Sequence, residues 1–237
     1  MEKKICILSD SHAASLKQGL RRIAPDFPGV EVTFFVGMRS EWGNVSVDGG
    51  AIVASVESLR EKWLRSSPGK HAIGDEYDVY VVYSMGISAW GTLTQKMILQ
   101  QVPYDSEEMA RVIYSSLSTT PGLKAVSALR KITRRPILMV AGPHSPDEFS
   151  IPLRTLTPEA LRHLVAQFHK TCVRLAEEFG AKFIAQPRRT VNPDGATTNM
   201  KFFSGIAGDK GHMNADYGAI IAGRILRSSA LVSLKSL

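Results

Sequence analysis

Cysteine is scarce in this chain, with 2 among 237 residues. Cys6 lies in an apolar run near the N-terminus and Cys172 on the apolar side of a helical stretch, so a disulfide framework and a cysteine-built zinc site are excluded. Two buried free thiols are expected instead. Long hydrophobic runs are also missing: nothing approaches the roughly 18 apolar residues of a membrane span. The run Ile5–Leu8 is too short for a signal-peptide core and is followed at once by Ser9-Asp10-Ser11-His12. A cytoplasmic protein without a membrane span is therefore expected. There is no low-complexity tract, internal repeat or linker, and the length suits one domain over residues 1–237. The chain also lacks the Gly-x-Ser-x-Gly elbow of lipase-type hydrolases, a Gly-rich phosphate loop ending in Lys-Ser/Thr, and a His-Glu-x-x-His pair. Neither a metal nor a cofactor is expected.

Acidic residues are fewer than basic ones, 22 against 29, for a net charge of +7. That excess either favours an acidic ligand through long-range attraction or serves solubility alone. Basic residues cluster at Arg130, Lys131, Arg134 and Arg135, and at Arg188 and Arg189, with no nucleic-acid module around them. No nucleic-acid partner is expected.

What is present is a regular alternation. Short apolar runs predict strands over Lys4–Ser9, Val30–Val36, Tyr77–Ser84, Pro136–Ala141 and Lys182–Ala185. Their continuous apolar character marks strands covered on both faces, the pattern of a parallel sheet between helices. Helical spacing predicts Ala13–Ile23, Ala51–Arg65, Ser106–Leu117, Leu123–Thr133, Thr157–Phe179 and Asn214–Arg227. The fifth has Thr157 as N-cap, Pro158 in the first turn, Gly180 as terminator and a stripe from Leu161 to Phe179, with His163 and His169 at the stripe edge. The alternation gives a three-layer α/β/α domain. Residues 87–135 exceed a minimal crossover and carry two helix-like segments around Thr119-Thr120-Pro121-Gly122: a helical insertion that is either a lid or dimer surface, or an ordinary longer crossover.

Two groups of residues carry chemistry. Ser11 follows the first strand and precedes the first helix, so its side chain projects from the carboxyl end of the sheet, where such folds place ligands. The helix N-terminus adds free N–H groups and a dipole end suited to developing negative charge. The alternative role for Asp10 or Ser11 is a plain helix cap. Near the far end, Asp209-Lys210-Gly211-His212 places a carboxylate and an imidazole three positions apart, just before the last helix. In a loop this spacing lets the carboxylate hold Nδ1–H while Nε2 points toward a hydroxyl.

The block Ile7-Leu8-Ser9-Asp10-Ser11-His12 resembles the Gly-Asp-Ser-Leu block of the SGNH (GDSL-like) hydrolases, and Asp209-Lys210-Gly211-His212-Met213-Asn214 followed by Tyr217-Gly218 resembles their closing Asp-x-x-His block. The resemblance implies Ser11 as nucleophile, His212 as general base and Asp209 as its orienter. It implies a flavodoxin-like five-stranded parallel sheet, and hydrolysis or transfer of acyl esters through an acyl-enzyme without metal or nucleotide. The partner it implies is a small-molecule or saccharide acyl ester. Ser9 stands for the family's glycine and His12 for its leucine. Gly37 is a counterpart of the glycine that supplies one oxyanion N–H after the second strand. The family's Gly-x-Asn-Asp block after the third strand is absent, since that strand ends Tyr83-Ser84-Met85-Gly86. Candidates for the missing donor are the Gly86 N–H, the Ser84 or Ser88 hydroxyl, the Asn44 amide and His144. Trp42 and Trp90 are either a stacking platform for a sugar or packing residues. The alternative function is a carbohydrate- or ligand-binding protein that keeps the fold without efficient catalysis.

Overall fold

The structure, a computed structural model, describes residues 2–89, 107–144, 157–207, 209 and 211–228. Among these residues the strands are β1 (Lys3–Ser9), β2 (Val30–Val36), β3 (Val45–Asp48), β4 (Ala51–Ala54), β5 (Ala72–Ile73), β6 (Val79–Tyr83), β7 (Ile137–Val140) and β8 (Lys182–Ile184). Its helices are α1 (Ala13–Ile23), α2 (Glu57–Ser66), α3 (Glu107–Ser118), α4 (Pro121–Ile132), α5 (Pro158–Glu178) and α6 (Ala215–Leu226).

The main sheet has five parallel strands in the order β2-β1-β6-β7-β8, the order of flavodoxin-like doubly wound folds. Residues of β1 alternate between two cores, as a pleat of period two requires. Ile5 and Ile7 pack with Leu16 of α1 and Tyr217 and Ile221 of α6, whereas Cys6 and Leu8 pack with Trp63 of α2, Val126 of α4 and Phe168 of α5. Helices therefore cover both faces, which is why these strands read as unbroken apolar runs. The two cysteines are free and buried. No helix among the described residues is long and apolar enough to cross a membrane.

One predicted element is wrong in type. The helix expected over Ala51–Arg65 begins only at Glu57, and Ala51–Ala54 is instead a strand paired antiparallel with β3. The cause is the tight turn between them: Gly49 and Gly50 both have positive φ, 54° and 80°, the backbone that two-residue hairpins require. β-branched Ile52 and Val53 then suit a strand better than a helix. Together with β5 they form a small three-stranded sheet whose Ile52 and Ile73 extend the core on the α2 side. In the crossover after β6, α4 lies in that core through Leu123, Val126 and Leu129, and Met109, Ile113 and Leu117 of α3 join it.

Helices α1 and α6 meet at backbone distance. A Cβ on Gly218 would stand 1.8 Å from the Ser15 carbonyl oxygen, and one on Gly19 would stand 2.0 Å from the Gly218 carbonyl carbon. Only glycine permits this approach. It sets the start of α1, just after Ser11, beside the loop that leads into α6.

Candidate active site

Ser11 occupies the turn between β1 and α1 and is exposed. Asp10 before it is buried, 3% exposed, and its carboxylate organises the sheet edge. One oxygen accepts the His12 N–H at 3.1 Å; the other accepts the Ser84 hydroxyl at 3.1 Å and the Met85 N–H at 3.0 Å. Ser84, Met85 and Gly86 all have positive φ, 65°, 48° and 86°. For a non-glycine residue such backbone costs about 1–2 kcal/mol, and the charged acceptor at Asp10 offsets it. Asp10 thus ties the end of β6 to the Ser11 turn, a role the sequence did not disclose beyond the presence of a carboxylate between strand and serine.

The Asp209–His212 loop is closed from several sides. The Ser204 N–H donates to the His212 carbonyl at 2.9 Å, the Asn214 N–H to the Phe202 carbonyl at 2.8 Å, and Phe203 bridges Met213. Asn214 caps α6 by accepting the Asp216 and Tyr217 N–H groups. Within this loop His212 Nδ1 lies 2.9 Å from Asp209 Oδ1, and the other carboxylate oxygen accepts the Ser204 hydroxyl at 2.9 Å. Partial desolvation opposes ionisation of Asp209, but the Gly211 and His212 N–H groups, the Ser204 hydroxyl and the His212 ring all stabilise the carboxylate. Its pKa is held well below the usual range. A carboxylate in this position can accept a proton carried on His212 Nδ1, with Nε2 on the far side of the ring. Ser204 was not anticipated; a hydroxyl five residues before the aspartate is too common a pattern to stand out.

Ser11 and His212 line the same cavity, about 790 Å³, together with Asp10, Gly37, Met38 and Arg39. Among the described residues no hydrogen bond joins the Ser11 hydroxyl to His212. Beside them the ring of His12 lies 5.8 Å from that of His212, centroid to centroid. Burial, ahead of the opposing field of Asp10, keeps His12 below its ordinary pKa and hence neutral.

The other sequence candidates separate. Gly37 lines the cavity, and its N–H donates to the Ser9 carbonyl at 3.2 Å. Gly86 sits in the strained turn against Thr120 and Pro121 and is not among the cavity-lining residues. Asn44 is exposed and outside the cavity; its backbone links Glu41 and Ser55 by donating to the former and accepting from the latter. Ser84 is committed to Asp10, and His144 is buried, with its N–H donating to Gln186. Trp42, 1% exposed, packs on Trp63 and donates its indole N–H to the Ser9 carbonyl at 3.1 Å. It is a core residue and not a sugar platform, because its ring has no face left to solvent. Trp90 lies outside the described residues.

No protein-family model and no curated protein sequence matches the chain. Solved structures similar to it include a Bacteroides fragilis protein to which acylhydrolase activity is ascribed, at 9% identity and TM-score 0.47, covering 98% of this chain and 88% of that one. The acetylxylan esterase Axe2 of Geobacillus stearothermophilus is similar at 13% identity and TM-score 0.44, over 95% and 93% of the two chains. A Lactobacillus plantarum protein is similar at 14% identity and TM-score 0.47, over 99% and 97%.

Proposed function

We propose that the protein is a serine hydrolase of the SGNH type that cleaves acyl esters. The observation that carries the reading is the cavity shared by Ser11 and His212, with Asp209 bonded to the far nitrogen of that imidazole. In this mechanism the Ser11 Oγ attacks the ester carbonyl carbon while its proton passes to His212 Nε2. The Ser11–His212 hydrogen bond that this step needs would form when substrate binds, since catalytic hydrogen bonds are often long or poorly aligned in a free enzyme. The resulting imidazolium is stabilised by Asp209. Collapse of the tetrahedral intermediate breaks the bond to the alcohol, which leaves with the proton from His212, and an acyl ester on Ser11 remains. Water then adds to that ester, loses its proton to His212, and the acid is released as the proton returns to Ser11. An alcohol in place of water would give acyl transfer with the same residues.

The oxyanion would be held by the Ser11 N–H at the start of α1 and by the Gly37 N–H, which must exchange the Ser9 carbonyl for the substrate oxygen. Removing one such donor typically costs about 100-fold or more in rate, so an occupied donor implies modest turnover until substrate displaces it.

The test is a fluorophosphonate probe and a 4-nitrophenyl ester. Labelling and ester cleavage by the wild type, both abolished in a folded Ser11→Ala variant, support the reading. A folded wild type that neither labels nor cleaves any of a panel of acyl esters overturns it in favour of a binding protein.

A further inference from the structure

The walls of the Ser11 cavity carry a chemistry that the triad does not use. Lys17 from α1, Arg39 from the loop after β2, and Lys62 and Arg65 from α2 all line it, around an apolar part formed by Ala13, Ala14, Val36 and Met38. Two of the four cations are compensated. Arg39 lies 3.5 Å from the buried Asp10 carboxylate, and Lys62 pairs with Glu41, which also accepts the Met38 N–H. Among the described residues Lys17 and Arg65 have no acidic partner. Lys17 rests over the ring of Phe34 at 4.9 Å, and desolvation, followed by repulsion from Arg21, draws its pKa below the ordinary value.

The cations come from elements packed against one another, with Lys17 half-buried and Arg65 exposed at the rim. Lys17 is one helical turn beyond Ala13 and Ala14, the residues that follow the Ser11 turn. Lys62, Arg65 and Ser66 lie on one face of α2, since residues three and four apart are neighbours. The Ser66 hydroxyl accepts the Val36 N–H at 3.1 Å and so pins the end of α2 to the end of β2. The two uncompensated cations thus flank the cavity from the two helices that frame it. A half-buried ammonium without a counter-charge gains most from an anion that enters the cavity.

We propose that the cavity selects acyl esters bearing an anionic carboxylate or phosphate group, with Lys17 and Arg65 as the residues that bind the anion. This rests on the acyl-ester reading above and names its substrate class. The anion belongs either to the acyl chain or to the alcohol, and matched ester pairs distinguish the two sources.

The experiment measures affinity and turnover separately. In the first arm, Ser11→Ala protein is titrated calorimetrically with mono-4-nitrophenyl glutarate and with 4-nitrophenyl pentanoate, which differ in the acyl-chain carboxylate. In the second arm it is titrated with O-acetyl glucuronate and O-acetyl glucose, which differ in the alcohol. We expect the anionic member of at least one pair to bind about tenfold more tightly, a factor of 1.4 kcal/mol, and the advantage to shrink at high salt. The pair that shows the preference identifies the source. Adding Lys17→Gln and Arg65→Gln together is expected to remove the preference. Equal affinities in both pairs, or a preference that survives the double substitution, overturns the proposal. Turnover of the same esters by the wild type tests the hydrolase reading on its own: cleavage with equal affinities leaves that reading standing and removes this one.

Discussion

Gly218 of α6 lies so close to Ser15 of α1 that a β-carbon on it would stand 1.8 Å from the Ser15 carbonyl oxygen. The surface ion pair between Arg22 and Asp216 joins the same two helices, but an exposed pair of this kind contributes about 1 kcal/mol at most. Backbone contact is what sets the distance between the Ser11 turn and the His212 loop.

Gly218→Ala is therefore expected to destabilise the fold. Alanine gains about 1 kcal/mol of helix propensity over glycine, but the obstacle is a main-chain carbonyl that cannot turn aside. Overpacking should win, with a net loss of about 3 kcal/mol in urea unfolding and, on the triad reading, reduced ester cleavage through a displaced His212. Gly211→Ala is the control in the same region. Nothing lies within 4 Å of its Cβ position, and stability should hold within about 0.5 kcal/mol.

Asp10→Asn should weaken both the fold and the site. An amide can present only one oxygen, so either the His12 N–H or the pair of donors from Ser84 and Met85 would face an NH2 group. A hydrogen bond to a buried charge is worth about 1.5–3 kcal/mol, so unfolding should show a loss of about 2 kcal/mol. Ser84→Ala, which removes one donor and leaves the carboxylate served by Met85 and His12, should cost less. An Asp10→Asn protein as stable as the wild type would show that the positive-φ turn holds itself.

Asp209→Asn retains the oxygen that accepts the Gly211 and His212 N–H groups but removes the charge that stabilises the imidazolium. On the triad reading, kcat for ester cleavage by the folded variant should fall by about 10^4-fold, with some loss of melting temperature because the charge those donors stabilise is gone. A fall of less than tenfold would remove Asp209 from the catalytic group.

Stability should decline in mild acid through His144. Burial, reinforced by the neighbouring His169, pushes its pKa down to about 3 in the folded protein, against about 6.5 when unfolded. Below 6.5 the unfolded chain binds a proton that the folded chain does not. The stability is complete above that pH and is lost at about 1.4 kcal/mol per pH unit as the pH falls toward 3. His169 is shifted the same way by burial and adds to the slope. Urea unfolding at pH 7.5 and 5.0 should show a loss about 2 kcal/mol smaller in His144→Gln than in the wild type. Equal losses would place the acid sensitivity elsewhere.

The five parallel strands, and every helix except the one beginning at Ala51, fall within two residues of the expected ranges. They were legible because their signals are local: unbroken apolar runs for strands covered on both faces, and repeats of three and four residues for helices. The positions of Ser11 and of the Asp209–His212 pair relative to those elements were legible for the same reason. The hairpin at Gly49-Gly50 was missed although its signal was present, because a β-branched run followed by a helical period reads as one helix when the turn is overlooked.

What the sequence determined by itself was the set of elements, the layered arrangement that continuous apolar strands demand, and which residues stand at the ends of β1 and before α6. Tertiary structure alone decided which of those residues meet. It placed Trp42 in the core, left Asn44 in solvent, gathered Lys17 and Arg65 around the Ser11 cavity, and set Asp10 against Ser84, 74 residues away. Periodicity records which face of an element avoids water, whereas strand order and the closeness allowed by Gly19 and Gly218 determine what stands across from it.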